Sequence, residues 1–226
     1  MKAVTDVEAA RAFWERRYAE GRLYGTQPTS IAPRLAELFR RHKVTALLEA
    51  GCGSGRDALF YAAAGFAVTG VDLSANALRW AREGALTQGV PLALLQADLV
   101  EAALPLGSFD ACVAVHLIHL QPAPLRLRLV NRLWQLTRDA GLVAMANYST
   151  AEAGFTSWAA YPEPHTRIDP KGKLVHFFAA DEFDALLPPG RFEILVREEV
   201  DLHEVNDDGP VSHREWLVVA QKVRAC

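Results

Sequence analysis

Glu49, three glycines at alternate positions (Gly51, Gly53 and Gly55) and an acid at Asp72 are the residues whose types and spacing point most directly to chemistry. Leu47-Leu48 leads through Glu49-Ala50-Gly51-Cys52-Gly53-Ser54-Gly55 into Arg56-Asp57, the order expected of a buried strand, a tight turn and the start of a helix. Glycines there let the backbone take dihedrals closed to other residues and bring its amides against a ligand, at the positive end of the following helix. The next apolar run, 67–71, ends at Asp72, where a carboxylate can accept two hydrogen bonds from a ribose diol. Glu49 adds a negative charge that repels a pyrophosphate and attracts a cation. A dinucleotide turn of the form G-x-G-x-x-G would need glycine at position 56, and the chain has Arg56. A positively charged nucleoside is the better match, with a nicotinamide-dependent reductase as the alternative.

The E-x-G-x-G-x-G motif resembles the first motif of the class I S-adenosylmethionine-dependent methyltransferases, position by position at Glu49, Gly51, Gly53 and Gly55, with Asp72 as the ribose acid. The resemblance implies S-adenosylmethionine as cofactor, S-adenosylhomocysteine as product, and a Rossmann-like α/β fold. Its seven-stranded, mostly parallel sheet would have the order 3-2-1-4-5-7-6, an antiparallel C-terminal hairpin and an N-terminal helical cap. It also implies that Cys52, Arg56, Asp57 and Leu73 lie at the cofactor, and that Asp98 and Leu99, after the run 92–97, meet the adenine. His116, after the apolar strand 109–115, would border the methionyl group, and Tyr18, with Trp14 and Tyr24, would cover the sulfonium. A protein that binds the cofactor without catalysis is the second alternative.

Phe13-Trp14-Glu15-Arg16-Arg17-Tyr18, Tyr24-Gly25, Pro28 and the tail 201–209 are similar to the tellurite-resistance and thiopurine-type branch of that fold. In that branch a tail histidine followed by an arginine faces the substrate. His203 takes the histidine's place, and His213 stands beside Arg214 further along. His203, His213 and His119 are therefore the candidate catalytic residues, with no metal expected. The expected substrate is a small molecule, such as a thiol or a chalcogen oxyanion. The adenine-methylating N/D-P-P-Y/F turn is absent, His116-Leu117-Ile118-His119 standing in its place, and no Pro-Cys nucleophile of cytosine methylation occurs, so no nucleic-acid partner is expected.

These residues need elements to hold them. Thr5 with Glu8 forms a capping box for a helix running to about Gly21, and Ser30 is placed to cap a second helix carrying Ile31, Leu35, Leu38 and Phe39. From 46 to 141 short apolar runs alternate with helical ones: a helix after Gly55 stopped at Gly65, one capped by Ser74, one entered through Pro122 and Pro124. Residues 148–173 read as an irregular excursion broken by Pro162, Pro164, Pro170 and Gly172, with Trp158, Tyr161 and His165 at the substrate mouth. A short helix over 181–187 and two strands, 191–200 and 214–223, follow. Residues 1–44 are read as a cap belonging to the same domain as the core, 45–226.

The chain has 226 residues, half of them hydrophobic (50%) and 23% charged, a composition that supports a folded core. Its formal net charge of −3 gives no general attraction to nucleic acid. Cys52, Cys112 and Cys226 have no metal-ligand or redox spacing. No apolar run reaches the roughly 18 residues that span a bilayer, and no signal peptide is recognisable. A cytoplasmic monomer or homodimer without membrane partners is expected.

Overall fold

Apolar runs too short for helices become strands buried on both faces, and a computed structural model describes residues 6–206 and 209–224 built around such strands. Five strands run parallel: β1 (Ala46–Ala50), β2 (Ala67–Asp72), β3 (Ala93–Gln96), β4 (Phe109–Val115) and β5 (Thr137–Tyr148). The last two strands of the chain, β9 (Phe192–Asn206) and β10 (Gly209–Lys222), are antiparallel and complete one sheet of order β3-β2-β1-β4-β5-β10-β9. This is the expected order 3-2-1-4-5-7-6, with β10 and β9 as the seventh and sixth strands of the main sheet.

Alternation along each strand divides its side chains between two cores. Leu47, Ala111, Val113, Leu142 and Leu217 face one side, where they meet α2 (Ala32–Arg41) and α3 (Arg56–Ala63) through Leu35, Phe39 and Tyr61. Leu48, Cys112, Val143, Met145 and Val218 face the other, against Leu129, Val130 and Leu133 of α5 (Ala123–Leu136). Of the remaining helices around the sheet, α4 (Ala75–Gln88) begins where the sequence places it: the Ser74 hydroxyl accepts from the Ala77 amide at 3.1 Å.

The N-terminal helix α1 (Val7–Glu20) lies against α4. Glu15 on it accepts from Ser74 Oγ at 2.6 Å and from Asn76 Nδ2 at 2.9 Å, and Trp80 Nε1 donates to the Tyr18 carbonyl at 3.0 Å. Two caps differ from expectation. Thr5 lies outside the described residues, and the cap of α1 is Asp6, which accepts from the Ala9 amide at 2.8 Å. Ser30 does not cap α2, whose N-cap is Ile31; its hydroxyl accepts instead from the His203 amide at 3.2 Å, tying the N-terminal segment to β9.

The stretch 148–173 is more ordered than its prolines suggest. It carries α6 (Ala153–Ser157) and two strands, β6 (Ala159–Ala160) and β7 (Thr166–Ile168), which pair with β8 (Leu174–His176) in a small second sheet. The prolines fall between these elements, where they cost no ladder hydrogen bond. The terminal strands are also longer than the runs read from sequence; their turn residues 207 and 208 lie outside the described residues.

Charged hydrogen bonds hold the small sheet to α7 (Glu182–Leu186). His176 Nε2 and His165 Nδ1 each lie 2.8 Å from a different oxygen of Glu182, and Thr166 Oγ1 lies 3.0 Å from His176 Nδ1. Burial would raise the Glu182 pKa, but hydrogen bonds from His176, the Ala179 amide and His165 outweigh it and hold the carboxyl down at about 2. A folded-state pKa below the unfolded one gives stability that is present above the ordinary 4.5 and is lost as pH falls towards 2. Protection of the β8 amides, taken as exchange corrected for its intrinsic pH dependence, should therefore fall over that interval in the native protein and lose this fall in Glu182→Gln. Protection in β8 that ignores pH in both proteins would contradict the arrangement.

Candidate active site

The carboxyl ends of β1, β2 and β4 open into one cavity beneath α1. The turn after β1 is fixed first: the Gly51 and Cys52 amides donate to the Val71 carbonyl at 2.8 and 3.1 Å, and the Gly53 amide donates to Asp72 Oδ2 at 2.8 Å. Gly53 has φ +54°, and a Cβ on it would stand 2.5 Å from the Tyr18 hydroxyl, so the turn and the cap helix meet only because the side chain is missing. Gly55 serves another end. Its absent Cβ would meet Ala81 Cβ at 2.8 Å, which lets α3 pack on α4, and it does not line the cavity. The Cys52 thiol, its pKa pushed up by burial, lies in the space above Gly70 of β2, although the residue borders the cavity.

Three carboxylates surround this turn. Glu49 is 5% exposed and its Oε2 has no hydrogen-bond partner; burial, reinforced by Asp57, pushes its pKa well up. Asp72 is also raised by burial, against the opposing amides of Ser74 (2.9 Å to Oδ1) and Gly53. Each Asp72 oxygen keeps a free lone pair after accepting one amide. Asp57, raised by burial as well, has both oxygens engaged by Thr29, through its amide at 2.6 Å and its hydroxyl at 2.8 Å. Asp57 thus pins the N-terminal segment instead of presenting free oxygens to the cavity, although it borders it.

Arg56 closes another side. One of its nitrogens donates to Glu204 Oε1 at 2.7 Å and another to the Tyr24 carbonyl at 3.2 Å. At the far end Asp98 Oδ1 accepts from the Val100 amide at 3.0 Å, and Leu99 is buried with its carbonyl accepting from Arg132 at 3.2 Å. Leu73, Asp98, Leu99, Tyr18, Trp14 and Tyr24 all border the cavity.

His116 follows β4 with φ +54°, a left-handed turn that costs an L residue about 1–2 kcal/mol and brings its ring back into the cavity. Its Nε2 lies 2.6 Å from Glu215 Oε1 and its Nδ1 4.0 Å from Glu204 Oε1. Burial opposes protonation, but the two carboxylates prevail and raise its pKa. His119, 2% exposed, also lines the cavity; its ring stacks on Tyr148 at 4.5 Å, and Tyr148 meets His213 on β10 at 4.9 Å.

Of the three candidate catalytic histidines, the structure brings His119 and His213 to the cavity and leaves His203 outside it. Strand parity is the reason: Leu202 and Glu204 turn inward on β9 while His203 is exposed between them. Trp158, Tyr161 and His165 do not reach the cavity either, since His165 is held by Glu182 and Trp158 packs on Phe177. Tyr148, Glu204, Glu215 and Lys173 were not among the candidates read from sequence. Tyr148 ends β5 and lines the cavity, as do Glu204 of β9 and Lys173 from the turn between β7 and β8; Glu215 of β10 meets the cavity through His116, at 2.6 Å.

The cavity's composition agrees with what comparison with known proteins finds. Residues 47–141 match the model of the family described as methyltransferase domain. Over 193 residues the chain is 31% identical to a malonyl-[acyl-carrier protein] O-methyltransferase of Pectobacterium atrosepticum, covering 84% of this chain and 71% of that protein. In structure it is similar to the 1,6-didemethyltoxoflavin-N1-methyltransferase of Burkholderia thailandensis, solved with S-adenosylhomocysteine (TM-score 0.69, 18% identity, 95% of this chain and 88% of the other). It is also similar to TehB from Haemophilus influenzae (TM-score 0.63, 16% identity, 84% and 62%).

Proposed function

This chain belongs to the class I S-adenosylmethionine-dependent methyltransferases, and we propose that it methylates a small-molecule nucleophile held where the cap helix, the small sheet and the terminal hairpin meet. Within the family the acceptor atom varies: by their names one relative methylates oxygen and a structural neighbour nitrogen. Thiols and chalcogen oxyanions are small nucleophiles of the same general kind.

The observation that carries the reading is the unpartnered Glu49 carboxylate oxygen, buried beside a turn where a side chain at Gly53 would collide with Tyr18. A buried anion without a donor is costly, and a ligand ammonium would remove the deficit. Asp72, with a lone pair free on each oxygen, fits a ribose diol, and Asp98, with one oxygen unengaged by Val100, fits an adenine amino group beside Leu99. S-adenosylmethionine, when bound, supplies a methyl group on positively charged sulfur that a nucleophile displaces in line. The protein's share of that reaction is mainly to orient the acceptor and exclude water. Tyr18 and Trp14 cover the cavity from α1, and Arg56 draws Tyr24 and Glu204 together over its rim. Among the described residues no helix is long and apolar enough to cross a membrane.

Transfer of labelled methyl from S-adenosylmethionine to a panel of thiols, phenols, selenite and tellurite tests this reading. Label is expected in at least one small acceptor, with S-adenosylhomocysteine quenching tryptophan fluorescence through Trp14. Binding of NADH without binding of S-adenosylhomocysteine would overturn it.

A further inference from the structure

Arg56, His116, Lys173 and His213 stand around the acceptor end of the cavity, and each lies within 4 Å of a carboxylate. Arg56 pairs with Glu204 at 2.7 Å and His116 with Glu215 at 2.6 Å; Lys173 Nζ lies 3.2 Å from Asp169, and His213 Nδ1 lies 3.5 Å from Glu152. An anionic acceptor would compete with the resident carboxylates, and a cationic one would meet Lys173, His116 and Arg56, while the unpartnered Glu215 Oε2 is fully buried and does not line the cavity. A neutral acceptor disturbs none of these pairs.

His119 is the exception among these groups, because it has no carboxylate. Its backbone amide donates to Asn147 Oδ1 at 3.1 Å, which fixes the residue, and its side-chain Nδ1 is buried without a partner. Its ring lies 14° from the plane of Tyr148, which itself stacks on Phe177, so the two rings form a flat wall. The groups facing it are His116 from the end of β4, Lys173 from the turn before β8, His213 from β10, His176 from β8 and Tyr148 from β5. Burial first, and then the four cationic or potentially cationic neighbours, push its pKa well down, so the imidazole is neutral at neutral pH. Burial keeps Tyr148 a phenol. Two histidines with ring centroids 5.5 Å apart are thus pushed in opposite directions, His116 towards its charged form and His119 towards its neutral one, the kind of divergence that separates an orienting group from a base.

Resting on the methyltransferase reading, we propose that the acceptor is a neutral ring compound carrying a protic oxygen, sulfur or nitrogen, laid against the His119–Tyr148 wall, and that His119 is the base that takes its proton. The bond from the acceptor atom to the methyl carbon forms as the sulfur–carbon bond breaks, with that bond's electron pair left on sulfur. The acceptor atom keeps the electrons of its bond to hydrogen, and the proton passes to the His119 imidazole and then to solvent. The positive charge lost at sulfur reappears on the imidazole, so the cavity gains no net charge beside His116. Chalcogen oxyanions fall outside this class.

The test uses the full chain saturated with S-adenosylhomocysteine for binding, and with S-adenosylmethionine for turnover. Phenol, 4-hydroxybenzoate and tyramine present one ring as neutral, anionic and cationic, and phenol is expected to bind at least about tenfold more tightly than either. His119→Gln should lower kcat for phenol by about 10²–10⁴-fold, with KM and S-adenosylhomocysteine affinity within threefold of the native values. For thiophenol at alkaline pH, which arrives without its proton, the loss should be under tenfold. Histidine NMR of the native protein should show His119 neutral across the interval in which an ordinary histidine titrates, near pH 6.5. Tighter binding of 4-hydroxybenzoate or tyramine, equal losses on both acceptors, or a His119 that protonates in that interval would overturn this inference while S-adenosylhomocysteine still bound. Failure of S-adenosylhomocysteine to bind the native chain would instead overturn the methyltransferase reading beneath it.

Discussion

Glu204→Ala is expected to destabilise the protein by about 3–5 kcal/mol, the cost of leaving a buried cation without its partner. The Glu204 side chain is 3% exposed and its partner Arg56 only 12%, so little water is available to replace the lost carboxylate. Its Oε1 lies 2.7 Å from Arg56 and 4.0 Å from His116 Nδ1, and the substitution strands the first cation while weakening the second. Urea unfolding of the ligand-free protein measures the loss. The double variant Arg56→Met with Glu204→Leu should recover most of it, since removing both charges also removes the desolvation that each demands. A loss below about 1 kcal/mol in the single variant would mean that the pair behaves as a surface salt bridge and does not hold the terminal strand β9 to the glycine turn.

Asp72→Ala is expected to weaken S-adenosylhomocysteine binding by about 50-fold or more, from the loss of charge-assisted hydrogen bonds worth about 1.5–3 kcal/mol each. The residue acts twice. Its Oδ2 accepts from the Gly53 amide at 2.8 Å and its Oδ1 from the Ser74 amide at 2.9 Å, so it shapes the turn as well as offering lone pairs to a diol. Calorimetric titration measures the affinity, and Asp72→Asn separates the two roles by keeping one acceptor oxygen. Affinity unchanged in Asp72→Ala would remove Asp72 from the site.

The glycine turn and its acids were legible in the sequence because their constraints are local. Backbone that must take positive φ at Gly51 and Gly53 calls for glycine, and a strand that ends in Asp72 announces an acid at the sheet's edge. The strand order followed from the alternation of short apolar runs with helices together with the family resemblance. Gly55 shows the limit of a motif: its place in the pattern is right, yet what it meets is Ala81 of α4, a contact set by packing across 26 residues. The acceptor side was harder, because its residues come together only after the chain has folded. Lys173 arrives from a turn in a segment that looked irregular, and its neighbours in the cavity lie on α1, β5 and β10. His203 was misplaced by one position of strand parity. Continuing the inward series Val196, Val200, Leu202 to the next even position gives Glu204, a signal that was present but concealed by reading β9 as ending at residue 200.

A crystal structure of the complex with S-adenosylhomocysteine would probe the central claim most directly. The ligand is expected in the cavity under α1, its amino group against Glu49, its ribose diol on Asp72 and its adenine beside Asp98 and Leu99, leaving the His119–Tyr148 wall free. A ligand lodged elsewhere, or one seated here with Glu49 and Asp72 both out of contact, would contradict it.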